Sequence, residues 1–258
     1  MLKRLALIWL CFVALSALFA PIFFSAQADR MDFAHALEAP SAMHPFGTDP
    51  LGRDVLCRVL VGSSVSMGVA LVAVAIAVAL GTALGAAAGY YGGRLDRLAM
   101  AFVDIMLCFP TFFLILAVIA VMGSSPAGLM IVIGLTSWMG TARLARAEVM
   151  SLRGREFVLA ARALGAGDLR ILTRHLIPNA AGPVAVNAIL GFSAAILTET
   201  GLSFLGLGVS PPTASWGNIL MDGKATLGVA DWLTFFPGMF ILLTVLAFNI
   251  LGEGQGHE

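Results

Sequence analysis

The sequence runs to 258 residues, 59% of them hydrophobic and only 12% charged, with a mean hydropathy of +0.95; a soluble domain carries about 25% charged residues, so water is excluded as the main solvent. Fifteen Lys and Arg balance fifteen Asp and Glu, which leaves no bulk field to attract nucleic acid and puts any electrostatic signal in position along the chain. The three cysteines, Cys11 and Cys108 inside apolar blocks and Cys57 alone in a polar stretch, make neither a disulfide framework nor a metal spacing and read as small buried side chains.

Apolar residues come in blocks of about twenty, the length that crosses a hydrocarbon layer about 30 Å thick at about 1.5 Å per residue. The first block, Leu5 to Phe24, follows Lys3 and Arg4. Ala26-Gln27-Ala28 resembles a signal-peptidase site, but a signal h-region of about 7 to 15 residues is shorter than this block. A retained N-terminal transmembrane helix over residues 1–24 is therefore expected, and both readings put residue 30 outside. Residues 25–66 then form an outer, periplasmic loop. The stretch His44-Pro-Phe-Gly-Thr-Asp-Pro-Leu-Gly-Arg-Asp54 is rich in turn residues, and Val55, Val59 and Leu60 around Arg58 suit a short amphipathic helix lying at the interface. His35 and His44 are the outer histidines; a metal-handling role competes with that of solvated loop residues, the latter is preferred, and no metal site is expected.

Residues 67–252 read as a transmembrane core. Its first span, Met67 to Tyr90, is uncharged, and Gly81, Gly85 and Gly89 recur every four residues, which puts three bare backbone patches on one helix face. A close-packed partner helix belongs there, from this chain by preference or from a second subunit. Further spans are expected at Met100 to Met122, Leu129 to Ala147, Pro183 to Thr200 and Trp232 to Leu251, with residues 253–258 as a short cytoplasmic tail. Asp104 and Glu199 lie near or inside apolar blocks, where a charge costs about 2.5 to 3.5 kcal/mol at the bilayer centre. They must face protein or water, either in interfacial structural roles or on the translocation path. With the N-terminus inside, eleven Lys and Arg fall on the inner side and four on the outer, so cytoplasmic N- and C-termini are expected.

The segment 151–179 is too polar to span. Phe157, Val158, Ala161 and Leu164 define one side of a short helix, and Gly165-Ala166-Gly167 breaks it, with Gly165 suited to a left-handed cap. Asp168 is expected to N-cap a second short helix that Pro178 terminates. Leu169, Leu172 and Leu176 supply that helix with an apolar stripe, leaving Arg162, Arg170 and Arg174 for solvent or a partner. A loop that only needed to be basic would not require two capped helices of defined length, so the hairpin is read as a contact for another protein.

Catalytic constellations are missing. There is no Gly-x-x-x-x-Gly-Lys-Ser/Thr, and lysine occurs only at positions 3 and 224, so the chain lacks the means to hold ATP in the P-loop manner. No His-Glu-x-x-His, Cys-x-x-Cys or Gly-x-Ser-x-Gly occurs either. Hydrolase and metalloenzyme readings therefore have no residues to stand on, and the chain is not read as an enzyme.

At the hairpin the sequence resembles the inner-membrane permease subunits of binding-protein-dependent ABC importers, whose loop reads Glu-Ala-Ala, three residues, Gly, nine residues, Ile, one residue, Leu-Pro. Ala160-Ala161, Gly165 and Pro178 fall in register, while Leu159, His175 and Ile177 depart from it. Phe157-Val-Leu-Ala-Ala-Arg-Ala-Leu-Gly-Ala166 with Arg174-His-Leu-Ile-Pro-Asn179 looks like the dipeptide, oligopeptide and nickel subfamily. So do Gly47-Thr-Asp-Pro-Leu-Gly-Arg-Asp54 and Gly201-Leu-Ser-Phe-Leu-Gly-Leu-Gly208 with Pro211-Pro-Thr and Ser215-Trp-Gly217. The resemblance covers residues 44 to 252.

It implies an all-α polytopic protein of about six transmembrane helices with a cytoplasmic helix-knee-helix coupling hairpin, in a bacterial inner membrane. It implies a second, homologous permease subunit, two cytoplasmic ATPase subunits that bind ATP and Mg, and an extracytoplasmic solute-binding protein, with no cofactor in this chain. Phe157, Ala160, Ala161, Arg162, Gly165, Asp168 and Arg170 would form the ATPase contact, Gly165 being the knee. Dipeptides, longer peptides, nickel complexes and opines all remain open as solutes. A carrier driven by an ion gradient is the alternative, and it would show internal repeats with interrupted spans, of which the sequence gives no convincing sign.

Overall fold

In the computed structural model, which describes residues 1–123 and 125–253, every apolar block of the sequence is helical. Only a helix or a closed barrel satisfies its own backbone polar groups where water is absent, and the single β-bridge among the described residues, Thr48 to Asp54, lies in the loop before α3. The helices are α1 (Leu2–Phe23), α2 (Ser25–Asp29), α3 (Val55–Tyr91), α4 (Gly93–Leu107), α5 (Thr111–Met122), α6 (Pro126–Leu152), α7 (Glu156–Ala163), α8 (Asp168–Ile171), α9 (Ile177–Phe204), α10 (Trp216–Ala225) and α11 (Trp232–Glu253). The helices α1, α3, α6, α11 and the rod Asp168–Phe204 are each long and apolar enough to cross a membrane. The tail expected at residues 253–258 lies, beyond Glu253, outside the described residues.

The sixth span departs from expectation. Met100 to Met122 is not one rod: α4 and α5 meet at a break with a bend of 80°. Pro110, the N-cap of α5, has no N–H to donate and disfavours helical backbone at Phe109, so the helix must stop there. On the other side, Gly92 and Gly93, with φ of 65° and 61°, turn the chain sharply from α3 into α4.

At the centre, α3 lies directly against α6. A Cβ added at Gly81 would come within 2.6 Å of the Thr141 Cβ, and one at Gly85 within 2.2 Å of the Ala142 carbonyl oxygen. At Gly89 it would meet the Arg146 carbonyl at 2.7 Å. The three glycines thus bring the two backbones together. Arg146 adds a two-pronged pair with Asp96 of α4, one arm at 2.6 Å. The main apolar core joins α3, α5, α6, α9, α10 and α11 through residues such as Val69, Ile115, Ile133, Ile196, Trp216 and Phe240.

The first turns of α3 were expected to be a separate helix lying at the interface. Instead they continue the span without a break, and at 37 residues α3 is about 55 Å long, longer than a hydrocarbon layer of about 30 Å requires. Val55, Val59 and Arg58 are all buried there. The loop that precedes α3 folds over them as a clasp. Asp49 accepts from the N–H groups of Leu51 and Arg53 and from Arg53 Nε at 2.6 Å, and lies 3.1 Å from Arg58 Nη1. Asp222 of α10 stands 3.7 Å from both arginines; burial pushes its carboxyl up from the usual range, and Arg58 opposes that shift. Trp232 Nε1 donates to the Thr48 carbonyl at 3.0 Å and ties the loop to α11.

Two smaller expectations also need correction. His35 and His44 are not simply solvated, since each ring is held by a carboxylate, His35 by Asp32 at 3.0 Å and His44 by Asp54 at 2.8 Å. Cys11 and Cys108 are exposed on their helices and Cys57 is half-buried. Small side chains on an outward helix face are as compatible with a bilayer as with a core, so apolar neighbours in the sequence did not imply burial.

Candidate functional site

The C-terminal ends of α3 and α6 and the N-terminal end of α9 meet a hairpin built from α7 and α8. Where α6 stops, Arg153 Nη1 donates to the carbonyls of Gly89 and Tyr90 at 3.0 and 3.3 Å, satisfying acceptors that the end of α3 leaves open. Helix α7 then ends in a Schellman motif: the N–H of Gly165 donates to the Arg162 carbonyl and that of Ala166 to the Ala161 carbonyl, both at 3.0 Å. Closing that motif requires the left-handed backbone of Gly165, whose φ is +82°.

Helix α8 begins differently from expectation. Gly167, not Asp168, is the N-cap, and no side chain caps it. The Asp168 carboxylate is already engaged, accepting from the Tyr90 hydroxyl at 2.6 Å, and the Tyr90 oxygen in turn accepts from Arg162 Nη2 at 3.1 Å. This hydrogen bond favours the charged form of Arg162, raising its pKa further. One tyrosine at the end of α3 therefore ties down both arms of the hairpin.

Nor does Pro178 end the second arm. A π-helical turn, Leu172–Leu176, joins α8 to α9, and Pro178 falls in the first turn of α9. The wider turn makes room for the ring that would collide with a preceding carbonyl in a regular helix. The second arm is thus one end of a long rod that runs on into α9.

Val158, Ile171, Leu172 and Leu176 bury against Ala86, Val149 and Ala180, which fixes the hairpin to the bundle. The expected stripe divides: Leu172 and Leu176 face in, while Leu169 is 74% exposed. Leu164 at the knee is 89% exposed, and Phe157 and Leu159 are exposed beside it. These exposed apolar side chains share the hairpin with Arg155, Arg162, Arg170 and Arg174. Phe157, Ala160, Ala161, Arg162, Gly165, Asp168 and Arg170 all belong to this one hairpin. A Cβ added at Gly165 meets nothing within 4 Å.

The other singled-out residues lie elsewhere. Asp104 on α4 is 60% exposed and paired with Arg143 of α6. Glu199 is wholly enclosed, accepting from the hydroxyls of Ser203 at 2.7 Å and Ser66 at 3.0 Å. Ser66 Oγ also accepts from the Trp216 N–H, and Ser203 Oγ from that of Val209. Glu199 thereby holds α3, α9 and the start of α10 in register. Replacing Glu199 with Ala should lower stability by about 3 kcal/mol, since buried hydroxyls left without an acceptor cost about 1 to 3 kcal/mol each. Glu199→Gln keeps an acceptor oxygen and should cost less than about 1 kcal/mol as the hydroxyls rotate to suit. Thermal unfolding of the two variants in detergent checks this ordering; equal melting points would refute it.

Tyr90, Arg153 and the Asp96–Arg146 pair were not singled out from the sequence. One signal was present, because the chain has only two tyrosines and they stand side by side at the end of an uncharged apolar block. Among the described residues no group of three His, Cys, Asp or Glu is placed to hold a metal ion.

Residues 81–254 match the model of the family described as binding-protein-dependent transport system inner membrane component. The dipeptide transport system permease protein DppC of Alkalihalophilus pseudofirmus is 41% identical over 255 residues, covering 98% of this chain and 84% of that protein. The oligopeptide transport system permease protein OppC of Bacillus subtilis is 36% identical over 253 residues, covering 98% and 83%. The glutathione transport system permease protein GsiD of Escherichia coli is 41% identical over 223 residues, covering 86% and 74%. Among solved structures, a chain of the MetNI methionine ABC transporter in an inward-facing conformation superposes with a TM-score of 0.60 at 18% identity, over 77% of this chain and 94% of that one.

Proposed function

The chain belongs to the family of binding-protein-dependent transport system inner membrane components, and from that premise we propose that it is the permease subunit through which an ATP-driven importer brings peptides across the bacterial inner membrane. It works with a second permease subunit of the same kind, two cytoplasmic ATPases that hold ATP and Mg, and an extracytoplasmic solute-binding protein. Its N- and C-termini are cytoplasmic, residues 1–24 are its first span, residues 25–66 lie on the outer side, and residues 67–252 form the permease core with the hairpin 151–179. The peptide class is taken from relatives whose names refer to dipeptide, oligopeptide and glutathione transport.

One observation carries the mechanical part: an apolar knob at Leu164 and Leu169 is held out from the inner face on a hairpin that Tyr90 and Arg153 fix to the spans. Such a knob fits a cleft in an ATPase, through Phe157, Ala160, Ala161, Arg162, Gly165, Asp168 and Arg170. When the ATPases close on ATP, the hairpin moves with them, and the α8–α9 rod delivers that motion to the middle of the membrane. The glycine face of α3 keeps α3 and α6 moving as one body. Asp104 serves as a surface ion-pair partner and Glu199 as an internal tie, rather than as stations on the solute path.

Purifying the tagged chain from its native host in mild detergent should bring down the second permease and two ATPases, and the companion binding protein should yield peptides by mass spectrometry. Peptide movement by the purified chain with no nucleotide-hydrolysing companion would replace this reading with that of an ion-gradient carrier.

A further inference from the structure

Midway along α3, α6 and α9 the helices leave a cleft of about 300 Å³. Its walls are mostly small or apolar residues, but Ser137, Thr141, Asn187 and Thr198 also line it, and none of its lining residues is charged. Asn187 Nδ2 donates to Thr141 Oγ1 at 3.0 Å. Among the described residues, no protein group takes the amide oxygen of Asn187 or its second N–H. Ser137 and Gly140 are exposed at the mouth of the cleft.

Hydrocarbon is a poor neighbour for such a surface. An amide without a partner in an apolar medium costs several kcal/mol, and polar side chains within spans face a bundle interior or a water-filled cavity. Absence of charge also limits what the cleft can hold. A fixed carboxylate or guanidinium would trap one terminus of a peptide, whereas uncharged groups exchange hydrogen bonds with water or with any passing amide. Conduction needs contacts favourable enough to enter and weak enough to leave. The volume is at the small end of ligand pockets, which run from about 300 to 1,000 Å³, and suits a short stretch of backbone.

We propose that this cleft is a solute-contact site on the translocation path, and that Asn187 exchanges hydrogen bonds with the backbone amides of a passing peptide. The path assignment stands on the cleft itself; the peptide assignment rests on the reading of the preceding subsection.

The test uses the complete transporter in proteoliposomes, with Cys11, Cys57 and Cys108 replaced by serine. A single Ser137→Cys should react with a charged, membrane-impermeant methanethiosulfonate, and turnover with an alanine dipeptide, ATP and the binding protein should slow that reaction. Asn187→Leu should lower dipeptide uptake about tenfold, the worth of roughly one hydrogen bond, and Asn187→Gln should restore most of the uptake. Labelling of Ser137→Cys by an apolar maleimide but not by the charged reagent would overturn the proposal, because the cleft would then face lipid or a packed helix. If the charged reagent reacts but the unlabelled complex imports a non-peptide solute and no peptide, the path stands and the peptide assignment falls.

Discussion

A transporter assembled with Gly165→Leu should insert, purify as a complex and yet lose more than about tenfold of its ATP-driven uptake, a change of about 1.4 kcal/mol or more in coupling. The structure separates the two consequences of adding a side chain there. Within this chain the new atoms meet nothing, so the internal penalty is that of left-handed backbone in a residue with a Cβ, roughly 1 to 2 kcal/mol. That is too little to unfold a bundle tied by Val158, Ile171 and the Tyr90 bridges. In the proposed contact the larger loss comes from the partner, because Leu164 at the knee is 89% exposed and a leucine beside it would hold an ATPase surface away. Gly165→Asn distinguishes backbone from contact, since asparagine tolerates the left-handed region while still adding bulk. Equal loss in Asn and Leu variants places the effect in the contact, and recovery in Asn places it in the backbone. Undiminished uptake by Gly165→Leu in the assembled complex would remove the hairpin from the mechanism.

The parts of this molecule legible in its sequence were those governed by short-range rules. Span length follows from hydrocarbon thickness, so α1, α6, α9 and α11 were visible as apolar blocks. The cap at Gly165 was visible because only glycine suits its backbone cheaply. What escaped notice depended on partners distant in the chain. Asp168 reads locally as a cap, but Tyr90, 78 positions earlier, competes successfully for its carboxylate. Arg58 reads as the polar face of an interfacial helix, yet Asp49 and Asp222 supply the countercharge that lets it be buried. The break at Pro110 had a local signal in proline itself; the run of apolar residues on either side concealed it. Pro178 shows the opposite error, since the π turn before it lets the helix continue where a local rule demands an end.

The second large effect is expected at the glycine face of α3, and it should appear in folding, not in coupling. At Gly85 an added Cβ would stand 2.2 Å from the Ala142 carbonyl oxygen and 3.0 Å from both the Ala142 carbonyl carbon and the Ala145 Cβ. The obstacle is backbone of a facing helix, which has no rotamer to yield. Relief therefore requires α3 and α6 to separate along their length. Alanine in a helix interior gains about 1 kcal/mol over glycine, but overpacking costs typically 1 to 3 kcal/mol, so Gly85→Ala should lower stability on balance and Gly85→Leu should prevent the chain from accumulating. Gly68 of the same helix is the control, because its nearest neighbour, Met130 Cε, lies at 3.8 Å; Gly68→Ala should leave the melting point unchanged or raise it. Thermal unfolding in detergent measures all three, and a Gly85→Leu chain that melted like the parent would show that the helices are not in backbone contact. The hairpin depends on that contact for its footing, since α3 carries Tyr90 to it and α6 leads directly into α7, so a variant that parts them should lose the Tyr90 bridges to Arg162 and Asp168 as well.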